Sequence, residues 1–182
     1  MAPKKRPGHS WRDIRSVLNN TSHKDMLGLV SDLYKLRKEN QSFLHARYVK
    51  DASTLIPYLE TIEHYISPIE PWKNPVKISL ARKAISDYRK AAGDPEGLAE
   101  LMLYYVECGV NFTFDFGDID EAFYSSLVRM FSDGLKMLGQ CNSDVVNKLL
   151  PRFKDTVHSA SDMGWGLYEE LRDCLEIYYP DV

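Results

Sequence analysis

The densest group of chemistry-bearing side chains is Asp115, Asp118, Asp120 and Glu121. Hard cations such as magnesium or calcium take several oxygen ligands, and this stretch offers four carboxylates. It lacks the alternating acids and the glycine of an EF-hand loop. Asp118 and Glu121 have the spacing of a capping box, in which each carboxylate accepts an orphan backbone N–H. We therefore expect a helix to start at Asp118, with no bound metal. Asp115-Phe-Gly spells a kinase triplet, but no Gly-rich loop, strand lysine or catalytic-loop motif goes with it, so we read it as coincidence.

The histidines are His9, His23, His45, His64 and His158. None lies three or four residues from another, and the chain has no Cys-x-x-Cys, so a two-histidine zinc helix is excluded and structural zinc is disfavoured. Cys108, Cys141 and Cys174 are three in number and far apart, unlike a disulfide framework. Reduced thiols point to the cytoplasm. Cys108 falls on an apolar helical face and reads as a packed thiol. No Gly-x-Ser-x-Gly elbow, phosphate loop or dinucleotide fingerprint occurs. Triads assemble from distant residues, so this weakens an enzyme reading without removing it. No catalytic residue and no cofactor are assigned.

Two features could bind rather than react. Arg82, Lys83, Arg89 and Lys90 lie broadly on the outer side of a helical stretch, a face that could hold phosphates of a polyanion. The plainer reading is a solvated face. Gly164-Trp165-Gly166 reads as a tight turn that buries its ring, with an exposed recognition aromatic as the alternative. Trp72, inside a proline-rich stretch, is expected to fold onto a neighbour, or else to serve as a second recognition aromatic.

The elements that must position these groups are helices throughout; no strand alternation appears. Asp94-Pro95 starts a helix in which Leu98, Leu101, Met102, Tyr105, Cys108 and Phe112 share one face, with Glu96, Glu100 and Glu107 near the opposite line. A loop is expected at Asn111–Gly117, its aromatics Phe112, Phe114 and Phe116 lying against the core. The second helix, from Asp118, buries Phe123, Leu127, Met130, Phe131 and Leu138. The rest of the chain is expected to pack around this hairpin.

Upstream, residues 1–9 read as a disordered basic tail. Ser10 caps a short helix with Trp11, Ile14 and Leu18 in line. Ser22 with Asp25 starts another, with Met26, Leu29, Val30, Leu33 and Tyr34 on its face. Asn40–Ser42 is expected to turn the chain, and a third helix to begin at Phe43. Asp51–Thr54 offers a cap to a helix in which Ile56, Leu59, Ile62 and Ile66 repeat at helical spacing. Pro68, Pro71 and Pro75 exclude helix over 67–75 and mark an extended connector between helical groups at 10–66 and 76–182. Val76–Ala92 follows, with Leu80, Ala81, Ala84, Ile85 and Tyr88 inward. Ser143 caps a helix over 144–160 that buries Val145, Leu149, Phe153 and Val157, with a kink at Pro151. The last helix is Leu167–Tyr179, with Tyr168, Leu171, Leu175 and Tyr178 at helical spacing. The expected fold is all-α, a multi-helix bundle or a short helical-repeat-like stack of helical hairpins, in one compact domain.

Leu101-Met-Leu-Tyr-Tyr-Val-Glu-Cys-Gly-Val-Asn-Phe-Thr, then Asp115-Phe-Gly-Asp-Ile-Asp-Glu-Ala-Phe-Tyr, and later Asp162-Met-Gly-Trp-Gly, resemble the motifs of a bacterial family known as a domain of unknown function. The resemblance covers about Glu100–Tyr179. It implies an all-helical fold and brings no activity, cofactor or catalytic residue. The family pattern has a His-Asp pair soon after Gly-Trp-Gly; Tyr168-Glu169 stands there in this chain.

A chain of 182 residues is long enough for a sizeable core. No apolar run approaches the roughly 18–20 residues of a membrane span, and the N-terminus lacks the apolar region of a secretory signal. Lys4, Lys5, Arg6, Arg12 and Arg15 against Asp13 make residues 1–15 carry +4, while the whole chain carries −3 and the remainder therefore −7. An acidic body disfavours nucleic acid as a partner. The leading expectation is a non-catalytic helical module that binds a protein partner or a second copy of itself, away from membranes. The alternative is a small-molecule enzyme or binder with its site at the Ser67–Pro75 seam, or a weak nucleic-acid-binding protein.

Overall fold

The computed structural model describes residues 10–180. Among them are nine α-helices and one 3-10 turn, with no strand, so the all-α expectation holds. None of these helices is long and apolar enough to cross a membrane. The basic tail at 1–9 lies outside the described residues. The chain divides into two compact units, the first ending at Ser42 and the second beginning at Phe43.

The first unit contains α1 (Trp11–Leu18), α2 (His23–Leu36) and the start of α3 (Lys38–Tyr48). Asp13 accepts hydrogen bonds from the Ser10 N–H and hydroxyl, and Ser22 Oγ accepts from the Asp25 N–H at 3.1 Å, so both starts form as expected. No residue of α1 or α2 is buried. The turn expected at Asn40–Ser42 lies inside α3. The break falls earlier, at Arg37, whose backbone is extended, and Asn40 Nδ2 donates to the Leu33 carbonyl across it at 2.6 Å.

The second unit continues α3 and then adds a 3-10 turn (Ala52–Leu55), α4 (Ile56–Ile66), α5 (Ile78–Ala91), α6 (Pro95–Phe116), α7 (Glu121–Leu138), α8 (Ser143–Ser159) and α9 (Leu167–Tyr178). Its centre is α6, which packs against α4, α5, α7 and α8; α7 also carries α9. All six residues of the expected α6 face are buried, and so are the five of α7. At roughly 1.5–3 kcal/mol for each large side chain removed from water, this pair dominates the core. Tyr105 of α6 and Ser126 of α7 share a buried hydrogen bond at 2.7 Å.

Several boundaries differ from the sequence reading. The expected loop Asn111–Gly117 is helix as far as Phe116, because nothing in it breaks a helix: Phe112 keeps the buried phase of Cys108, and Thr113 Oγ1 donates back to the Gly109 carbonyl at 3.1 Å. The helix stops at Gly117, which has φ +83°, a conformation side chains disfavour. Asp118 is not the cap of α7. Asp120 is, accepting from the Phe123 N–H at 2.8 Å. Likewise Asn142, not Ser143, caps α8, accepting from the Val145 N–H at 3.0 Å. α8 is continuous through Pro151.

The connector is non-helical over 67–77, as its prolines require. It does not separate one packing group from another, because α4 before it packs on α5 and α6 after it. Leu80 is exposed rather than inward; Ile56 and Tyr178 are also exposed, while Tyr58 and Leu167 join the core alongside Tyr88. Arg47 of α3 ties itself to the end of α5, its guanidinium donating to the carbonyls of Ala91 (2.8 Å) and Lys90. A cation at a helix C-terminus satisfies orphan carbonyls and the helix dipole together.

Candidate interaction surface

The structure brings the two motif stretches together. The first runs from the end of α6 into α7 and holds Phe116, Asp118 and Tyr124. The second, Gly164-Trp165-Gly166, joins α8 to α9. The Tyr124 hydroxyl donates to Asp118 Oδ1 at 2.5 Å. Burial, and then this bond, push the phenol up to about 12. A side chain at position 164 would place its Cβ 2.6 Å from Asp118 Oδ2, so glycine there is what lets the turns approach.

Trp165 itself has φ +60°, a region that few residues other than glycine adopt. Its ring stacks on Tyr124 with centroids 6.5 Å apart and planes 26° apart, yet it remains 56% exposed. The burial expected of this ring is therefore incomplete: the left-handed backbone turns it outward along Tyr124. A row of aromatic contacts continues inward from Tyr124 to Phe123 (5.7 Å), Phe112 (6.4 Å) and Phe116 (4.8 Å). The three central rings are buried, and the two ends, Trp165 and Phe116, are exposed. Phe114 is 84% exposed, contrary to the expectation that all three phenylalanines face the core, because it stands two residues from both Phe112 and Phe116 on a helix.

The surroundings are acidic. No lysine or arginine occurs in 111–128 or 159–171, where Asp115, Asp118, Asp120, Glu121, Asp162, Glu169 and Glu170 stand. The ion pairs of the described residues involve none of them. Of the four candidate metal ligands, all exposed, Asp118 is bonded to Tyr124 and Asp120 caps α7. No group of three or more potential His, Cys, Asp or Glu ligands gathers among the described residues.

The other candidate residues lie elsewhere. Arg82, Lys83, Arg89 and Lys90 are all exposed on α5, and Asp87 pairs with both Lys83 and Lys90, which weakens the charge that face could offer a polyanion. Trp72 is 71% exposed rather than folded onto a neighbour.

Sequence reasoning missed a cleft of about 340 Å³ among α4, α6 and α8, lined by Glu63, Tyr104, Glu107, Cys108, Arg152 and Asp155. Ser67, the first residue of the connector, reaches its edge. Arg152 donates twice to Glu107, at 3.0 and 2.7 Å, and once to Glu100 at 2.5 Å. The spacing of Glu100 and Glu107 on one helical line was a visible signal; their partner on α8 was not. Tyr104 donates to Glu63 at 3.1 Å. Burial pushes the Cys108 thiol up to about 12, which makes it a poor nucleophile. Comparison of the chain with protein families, curated proteins and solved structures finds no match.

Proposed function

We propose that this chain is a non-catalytic helical interaction module that recognises a protein partner through the aromatic row ending at Trp165. The observation that carries the reading is the half-exposed indole of Trp165, held at φ +60° against a buried tyrosine. A left-handed conformation at a residue other than glycine costs of order 1–3 kcal/mol and is retained where surrounding structure over-determines it. Tryptophan is also among the residues most enriched at the positions that dominate binding energy in interfaces. The free thiols Cys108, Cys141 and Cys174 support a reducing compartment, and we place the module in the cytoplasm.

The test is quantitative affinity capture from the native cell with the wild-type chain and with Trp165→Ala. The reading expects a partner retained by the first and lost by the second, with both chains equally folded. Identical capture by both, together with turnover or tight binding of a metabolite by the purified chain, would overturn it.

The cleft favours a second reading, a small-molecule binder, because Glu63, Glu107, Arg152 and Asp155 converge on a volume within the range of ligand pockets. Arg152 is already committed to two carboxylates, which leaves no free cation among the described residues lining the cleft and ranks this reading second.

A further inference from the structure

The surface at Trp165 has a charge as well as a shape. Trp165 sits between two carboxylate-bearing positions: Asp118 reaches Gly164 on one side, and Glu169 Oε2 lies 4.0 Å from where a Gly166 Cβ would stand on the other. The cation–aromatic contacts of the described residues fall on Phe43, Tyr65 and Tyr168, and none on Trp165. The face of the indole is electron-rich, it lies among acids that form no ion pair, and no cation of the described residues covers it. Resting on the interaction reading above, we infer that the occupant is a basic, amphipathic protein segment. Its lysine or arginine lies over Trp165 beside Asp118 and Glu169, and its apolar side chains meet Phe116 and the edge of Trp165.

Two physical effects support that choice. A cation over a tryptophan face is attracted by the ring quadrupole, and the attraction grows as the contact loses water. Complementary charge across a rim raises the association rate and excludes like-charged partners. The same carboxylates repel anionic lipid surfaces and nucleic acid. An acidic segment would place like charges together at Asp118 and Glu169, and a purely apolar one would leave both acids without a counter-charge.

The experiment uses the full chain carrying Trp11→Phe and Trp72→Phe, so that Trp165 alone reports by its emission. Three synthetic helical peptides are titrated: one of lysine and leucine, one with glutamate for every lysine, and one with serine for every leucine. Phosphatidylserine vesicles form a fourth arm. The inference predicts that the lysine–leucine peptide shifts Trp165 emission and binds roughly tenfold or more tighter than either control peptide, a difference of about 1.4 kcal/mol. Its affinity should fall with added salt and weaken again in Glu169→Gln, an exposed position beside Trp165. In a companion chain that also carries Trp165→Ala, read by anisotropy of labelled peptide, binding should be lost. Equal or tighter binding of the glutamate peptide, or binding of the vesicles in place of the lysine–leucine peptide, overturns the inference. So does lysine–leucine binding that survives Trp165→Ala. None of these results touches the interaction reading, which stands or falls on partner capture.

Discussion

Replacing Arg152 with methionine should destabilise the second unit, and the structure sets the size of the effect. The guanidinium makes three hydrogen bonds, two to Glu107 and one to Glu100. Without it the two carboxylates keep only Lys148, 4.0 Å from Glu100. Breaking a fully buried pair in this way costs about 3–5 kcal/mol, and an exposed pair about 0–1. The side chains here are 34% (Arg152), 17% (Glu100) and 23% (Glu107) exposed, so the cost falls between those limits, at about 2 kcal/mol. For a chain of this size that lowers the melting temperature by about 4–8 °C. If uncompensated charge causes the loss, removing the carboxylates as well restores stability. In Arg152→Met/Glu100→Gln/Glu107→Gln no charge is left uncompensated, and most of the loss should return. Thermal melting followed by circular dichroism measures both variants. A triple variant as unstable as the single one would mean that packing of the arginine stem, not charge, joins α8 to α6, and would refute the reasoning.

Three further outcomes follow from the geometry. Asp120→Ala should cost about 0.5–2 kcal/mol and speed amide exchange at Phe123, whereas Asp118→Ala should leave that amide protected, because Asp118 binds Tyr124 instead. Gly164→Ala should displace the Asp118 carboxylate and cost about 1.5–3 kcal/mol, the range for a hydrogen bond to a charged group, while Trp165→Ala, which removes only the stack on Tyr124, should cost about 0.5–1.5 kcal/mol, both read by urea denaturation. Burial raises the Cys108 thiol and the Tyr58 phenol to about 12, above their unfolded values. That stabilising contribution is complete below about pH 8.5, where unfolded thiols begin to ionise, and is lost as pH climbs towards about 12. A melting temperature flat across that alkaline window would contradict it.

The core was legible because its signal is local. Leu98, Leu101, Met102, Tyr105, Cys108 and Phe112 repeat at helical spacing, and burial followed that phase without exception. Caps were harder. Asp118 and Asp120 are both competent, and the choice between them depends on Tyr124, six residues beyond Asp118, which takes Asp118 for itself. The run of aromatics at 112–116 looked like a loop folded on the core, but a helix ordered it more simply, leaving Phe114 outside. Pairings between distant segments were not readable. Arg152 with Glu100 and Glu107, Arg47 with the end of α5, and Trp165 with Tyr124 each join residues whose spacing carries no period. The candidate surface was therefore half visible: Trp165 stood out by type, and the acids by density, but no sequence pattern joined them.

The central claim is that the Trp165 end of the aromatic row meets another protein. The direct measurement is site-specific photo-crosslinking in the native cell, with a benzophenone-bearing phenylalanine at position 162, exposed in the same turn as Trp165, and, as control, at the exposed connector position 73. The account predicts a discrete protein adduct from position 162, absent from position 73 and abolished when Trp165→Ala is added to the position-162 chain. No adduct at 162, or the same adducts from both positions, would contradict it.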